Sequence, residues 1–225
     1  TLQFGSGEGV VGKESGYDDQ INITNLVVDY DLGWASLLSS SSLINQDSSR
    51  NQDQSAFGGF PVPQLILGTA EVLSQELRLT SQLDGPFQYV LGAYYEEIDA
   101  STSAVSWAST EEVRVAFGSP FGSSRLLHNG FTDKNTDQLA IYSELSYDIN
   151  EQLEVTLGAR WFDYERNSYS FGEGVLGDFD TPLAIDESGT NFKANMSYTP
   201  NEDALLYLQW AQGFRLGGTA FPPPP

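Results

Sequence analysis

The chain has no cysteine, which excludes disulfide frameworks, thiolate metal sites and cysteine nucleophiles. Its one histidine, His128, has no His or Cys companion with which to build a transition-metal site, and it reads as loop surface. Positive charge is scarce: Lys and Arg number 10 against 31 Asp and Glu, a net charge of −21. That balance repels phosphate backbones and anionic membrane surfaces, so nucleic acid is not expected as a partner. Long apolar runs are also missing, and nothing approaches the ~18 residues of a membrane helix. The first residues, Thr1 to Gly7, have neither the charged nor the apolar region of a signal peptide. With 40% hydrophobic and 12% aromatic residues, the composition is nevertheless not that of a disordered chain.

What the chain does have is alternation. In "QLAIYSELSYDINEQLEVTLGARWFDY", Gln138 to Tyr164, apolar and polar residues alternate, turn once on Asp-Ile-Asn-Glu, and alternate again. Leu139, Ile141, Leu145, Tyr147 and Ile149 share one side, and Glu144, Ser146 and Asp148 the other. On the return, Leu153, Val155, Leu157 and Trp161 oppose Glu154, Thr156 and Arg160. Side chains on a strand alternate with period two, so this is a hairpin with one oily and one wet face. A soluble sheet buries the oily face in a core, whereas a membrane barrel shows it to lipid.

The hairpin recurs. Ile21 to Asp31 meets Trp34 to Ile44, Glu71 to Leu83 meets Phe87 to Ala100, and Asn191 to Thr199 meets Ala204 to Phe214, each across a short joint of Gly, Pro, Asn or Asp. This makes about eight strands of roughly 10 to 13 residues, against the ~5 to 6 usual in globular sheets. A membrane strand needs about 9 to 11. Between the hairpins, Asn45 to Thr69, Ser101 to Asp137 and Asn167 to Thr190 read as long loops rich in Ser, Gly, Asp and Asn. Short turns alternating with long loops are the habit of outer-membrane barrels. Both ends of the chain fall on the long-loop side, so the expectation is an open sheet from the middle of a larger barrel, with the strands starting at Ile21 and ending at Phe214 as its edges.

Two stretches go further than pattern. "SQELRLTSQLDGPFQYVLGAYYEE" (Ser74 to Glu97) resembles a segment of TonB-dependent receptors, and "YLQWAQGFRLGG" (Tyr207 to Gly218) is similar to a later one. "LGARWFDYERN" (Leu157 to Asn167) resembles their Gly-x-Arg-aromatic strand. The resemblance implies an energised importer in the outer membrane of a Gram-negative bacterium, with an about 22-stranded barrel around an N-terminal plug. It implies as partners TonB with its inner-membrane motor complex, the lipid and lipopolysaccharide of the outer membrane, and a small nutrient ligand of the siderophore, cobalamin or oligosaccharide class. Neither plug, nor TonB box, nor terminal aromatic strand is visible, so residues 1–225 are expected to be a partial barrel domain without plug or barrel C-terminus.

Candidate sites follow from the two faces. Glu76, Arg78, Glu144 and Arg160 lie at wet positions; they line a lumen, where they contact a plug or a passing anionic ligand, or they pair with one another across the wall. Trp107, Phe117 and Phe121 in one long connection, and Tyr169, Phe171 and Phe179 in another, are aromatics among Gly and Ser. They would stack on a ligand or pack the loops together. Asp18-Asp19 and Asp178-Phe179-Asp180 lack the calcium-loop spacing, and no nucleophile–base motif is present. No catalytic residue, metal site or cofactor is expected.

The fold expected is all-β, an antiparallel up-and-down transmembrane β-barrel with about eight strands of a larger one. The function expected is uptake of a scarce nutrient with energy coupled through TonB. The alternatives are a soluble acidic β-sandwich that binds carbohydrate and a passive porin-type channel.

Overall fold

The structure, a computed structural model, describes residues 15–53, 62–175 and 177–213. Eight strands run β1 Gly16–Asp31, β2 Ala35–Asp53, β3 Pro63–Ser81, β4 Phe87–Trp107, β5 Leu126–Asn150, β6 Leu153–Gly174, β7 Phe179–Asn201 and β8 Ala204–Ala211, with one helix, α1 Glu111–Phe117, between β4 and β5. They form a single sheet in the order β1 to β8, each strand antiparallel to the next. Among the described residues β1 and β8 do not pair, so the barrel is partial and open. Phe214, Arg215 and the run Pro222 to Pro225 lie outside the described residues.

The short joints are closed by local chemistry. At the first, Gly33 takes a φ of 83° and its N–H bonds Asp31 Oδ1 at 2.7 Å; a left-handed turn residue of this kind favours glycine. At the third, Asn150 Oδ1 accepts from the N–H groups of Gln152 and Leu153 at 2.9 and 3.0 Å. Each side chain satisfies a turn amide that the ladder cannot reach.

The long connections are mostly not loops. β5 runs 25 residues and β7 23, so most of what reads as loop continues the ladder as tall hairpins. A strand of 25 residues extends on the order of 80 Å, far more than a bilayer requires. Beyond the apolar stretch both faces are mostly polar, and the strict alternation that marks the strands in the sequence is lost there. Pairing itself needs only backbone N–H and C=O groups, which Ser, Asn and Asp supply as well as Leu.

The two faces differ sharply. On one, Phe87, Tyr89, Leu91, Ala93 and Tyr95 of β4 pair with Tyr147, Leu145, Ser143, Ile141 and Leu139 of β5. Leu153, Val155, Leu157, Ala159 and Trp161 of β6 face Tyr198, Met196, Ala194, Phe192 and Thr190 of β7. Among the described residues no second sheet covers this band: Ile141 is 55% exposed, Leu145 45% and Leu157 56%. The soluble sandwich requires such leucines in a closed core, and it is excluded by this single uncovered sheet. The other face packs on itself, with Ala140, Phe162 and Tyr164 buried against Tyr94 and Ile185.

Candidate functional site

The banded face begins at the short turns and stops abruptly. One step past Tyr95 comes Glu97, past Leu139 comes Asp137, and past Trp161 comes Asp163, followed by Asp99, Asn135 and Glu165. The apolar stretch is about nine residues on each of these strands, which matches the ~9 to 11 of a tilted strand crossing a bilayer. Tyr30, Phe87, Tyr147 and Tyr198 mark its turn end, and Tyr95, Trp161 and Phe192 its far end. Rings with one apolar and one polar edge settle where oil meets water.

The polar face, at the height of that band, carries a cross-strand network. Tyr142 of β5 reaches over β4 to hydrogen-bond Glu76 of β3, passing above Gly92, where any Cβ would overlap the Tyr142 ring. Tyr94 Oη donates to Glu96 Oε2 at 2.7 Å. Lys193 Nζ of β7 reaches Glu144 Oε1 of β5 at 2.9 Å across Gly158 of β6. With both partners of that ion pair about two-fifths exposed, solvent screening leaves it worth no more than ~1 kcal/mol. The pairings of Glu76 with Arg78 and of Glu144 with Arg160 are therefore not the ones made: Glu76 takes a tyrosine and Glu144 a lysine. Arg78 and Arg160 lie near enough to Tyr142 for their charges to act on it. Arg160 lines a hollow of about 890 Å³ with Glu76, Tyr94, Glu96, Glu144 and Lys193 among others, and Arg78 is not part of its lining.

The expected aromatic loop residues separate. Phe117 belongs to α1 and packs on a small apolar cluster of Val62, Ala108, Val113 and Leu127. Trp107 ends β4, and Phe121 lies in the turn after α1, where its N–H meets Ser119 Oγ at 3.3 Å. Tyr169 and Phe171 are corrected from loop to strand: both lie within β6. They share the parity of Leu157 and Trp161, so they stand on the face opposite Glu76 and Arg160. Phe179 opens β7 on the polar side and stacks on His128, ring centroids 6.4 Å apart. His128 is a strand residue with a buried Nδ1 lacking a partner, not loop surface.

α1 was missed by reading for period two, although its signals stand in the sequence. Thr110 caps it by accepting from Val113 N–H, Glu111 and Glu112 fill the first turn, and Gly118 ends it at φ 64°. Arg114 binds Glu111 in bidentate fashion and reaches the Gly122 carbonyl at 2.6 Å. The Arg114–Glu111 hydrogen bonds, with the Arg114 charge, hold the Glu111 carboxyl below its ordinary range. A depressed acid stabilises fully above its ordinary value and loses that contribution as pH falls through the folded value. The protection factors of the α1 amides, each taken against the intrinsic exchange rate at that pH, will therefore fall below about pH 4, while those of β5 hold. Unchanged protection factors in α1 on acidification would count against the Glu111–Arg114 clasp.

Residues 4–223 match the family described as TonB dependent receptor-like, beta-barrel. No curated protein matches the chain. Among solved structures it is similar to the ferric yersiniabactin uptake receptor FyuA from Yersinia pestis, at 14% identity and a TM-score of 0.73, over 88% of this chain and 28% of that one. It is similar to the ferric-catecholate import receptor Fiu from E. coli, at 14% identity and 0.61, over 88% and 33%. The siderophore receptor PiuA from Acinetobacter baumannii matches at 12% identity and 0.59, over 88% and 32%. The chain thus spans about a third or less of each solved receptor.

Proposed function

The chain belongs to the TonB-dependent receptor family, through its β-barrel domain, and from that premise we propose that it forms part of the wall of a nutrient importer in the outer membrane of a Gram-negative cell. The single observation that carries this reading is the apolar band. It is uncovered, about nine residues deep, ringed by aromatics at both ends and closed by carboxylates on successive strands. In this reading the band meets lipid, the polar face meets the lumen, and the tall hairpins rise on the outside.

Glu76, Arg78, Glu144 and Arg160 then face the interior, where they contact a plug or a passing ligand. Glu76 and Glu144 are anchored across strands by Tyr142 and Lys193, and Arg160 leaves charge at the surface of the hollow, which supports that role. The three solved relatives are named for ferric complexes or siderophores, which supports an iron chelate over cobalamin or an oligosaccharide as cargo. Energy for uptake comes from the inner-membrane motor through TonB.

The test is uptake of radioiron-loaded siderophores by cells carrying the receptor. Accumulation is expected to stop with an uncoupler and in a strain lacking TonB. Uptake that continues undiminished in both would mean a passive pore.

A further inference from the structure

A cluster of polar side chains interrupts the apolar band on β2 and β3. Register carries the banded face to these strands: Leu79 stands opposite Leu91 of β4, and Leu37 opposite Leu79. On that face β2 reads Leu37, Ser39, Ser41, Leu43, and β3 reads Leu79, Leu77, Gln75, Leu73, before Asn45 and Glu71 end the stretch. Ser41 stands directly opposite Gln75, and Ser39 lies between Val28 of β1 and Leu77 of β3. Elsewhere in the band Ser143 and Thr190 stand singly; here three polar residues stand together among leucines. Both strands lie inside the sheet, so the cluster does not belong to an unpaired edge.

The three side chains bond one another. Ser41 Oγ donates to Gln75 Oε1, while Gln75 Nε2 donates to Ser39 Oγ at 3.1 Å and to the Glu76 carbonyl at 3.0 Å. The Ser39 hydroxyl proton is left without an acceptor among the described residues, and an acyl chain supplies none. Polar groups turned to hydrocarbon are costly, and polar side chains in a membrane ordinarily meet protein or water. Bracing does not explain the cluster either, because β2 and β3 already pair along their whole length. Beside it, on the same face, lies an apolar hollow of about 620 Å³ lined by Leu37, Leu77, Leu79, Leu91, Ile141 and Trp161 among others. Ala93, Ser143 and Ala159 complete its wall, where larger side chains would fill it. Leu37 and Leu77 are themselves 40% and 48% exposed.

We propose that this strip of β2 to β4 is an interface within the membrane, and that its occupant is a second copy of the same chain. The proposal rests on the outer-membrane reading above. A two-fold contact requires a patch that complements itself. Hydroxyl and amide groups each donate and accept, so the same cluster on two copies gives each the acceptor that Ser39 lacks. Exposed leucines lie next to a hollow of leucine size, so the two copies also interlock by shape. Charge permits the contact. No ionised side chain stands on this face between Leu37 and Leu43 or between Leu73 and Leu79, so the −21 of each copy is not brought together there. An acyl chain would fill the hollow and leave Ser39 unmet.

The test uses the receptor that contains this chain. Photoreactive benzoylphenylalanine is placed at position 37, and the receptor is illuminated in outer-membrane vesicles. Receptor–receptor adducts are expected from position 37 and none from position 196, on β7 of the same band. Adducts with lipid alone, or with another protein alone, would overturn the proposal. Energy transfer between labelled copies in lipid vesicles should show Ser39→Ala/Ser41→Ala/Gln75→Leu weakening the dimer at least fivefold, as lost hydrogen bonds do between membrane helices, with Ser39→Thr retaining it. The triple variant only removes polar groups from an apolar band, so its folded fraction on a gel should hold. Equal dimerisation in that variant, or a lower folded fraction with dimerisation unchanged, would make the cluster a brace and sink the proposal. A nitroxide at position 145 tells the two readings apart. Collisions with oxygen alongside a monomeric receptor defeat only this proposal, whereas collisions with a water-soluble nickel relaxer defeat the membrane reading and this proposal together.

Discussion

Leu145→Arg will markedly destabilise this barrel in lipid and lower its folded fraction, whereas Ser146→Arg, one residue along, will not. Leu145 sits in the middle of the apolar band, flanked by Tyr89 on β4 and Leu157 on β6. An arginine on the lipid face near the bilayer midplane costs about 2–4 kcal/mol, a large part of the 5–15 kcal/mol that a typical folded chain has in hand. Ser146 points to the wet face, where its hydroxyl shares a 2.9 Å hydrogen bond with Thr156. Losing that bond costs about 1 kcal/mol, and the new guanidinium stays hydrated. Refolding into lipid vesicles, read as the heat-modifiable folded fraction on a gel, distinguishes the two variants. Equal yields from both would mean that the band does not meet lipid.

Gly92→Ala will destabilise the wall by about 1–3 kcal/mol, the usual cost of overpacking. The added methyl has only the space already filled by the Tyr142 ring, which crosses β4 to reach Glu76. Backbone strain is not the cause, because Gly92 has no positive φ. Removing the ring should therefore remove the conflict. In Gly92→Ala/Tyr142→Ala the glycine substitution should cost almost nothing further, giving a coupling of about 1–2 kcal/mol in the double-mutant cycle. Urea midpoints of the detergent-folded receptor measure it. Additive losses would show that the ring does not need the glycine.

The two predictions draw on different levels of the chain. That Leu145 and Ser146 face opposite ways is written in the sequence, since period-two alternation between Gln138 and Tyr164 fixes the face of every residue once the segment is a strand. That Gly92 is a seat for Tyr142 is not written there: the two are far apart in the chain, and only the register Gly92↔Tyr142 brings them together. The same limit explains the ion pairs. Glu144 with Arg160 is a sound reading of one hairpin, yet the structure gives Glu144 to Lys193, two strands away, because Gly158 between them has no side chain to block the path.

By itself the sequence determined the strand segments inside the apolar band, their short turns at Asp31-Leu32-Gly33 and Asp148 to Glu151, the two faces, and through three motifs the family. These are local properties: each depends on residue type, a period of two, and turn chemistry within a few positions. Only the tertiary structure decided how far the strands continue past the band, because a ladder wet on both faces is held by backbone groups that every residue carries. The open sheet expected from the sequence is what it shows, with β1 and β8 not paired to each other among the described residues. It also placed Tyr169 and Phe171 on the wall's outer face, with Phe131 across the ladder, although their surroundings read as loop. Contacts across strands depend on register, and register is set by the whole sheet, which no single stretch of chain contains.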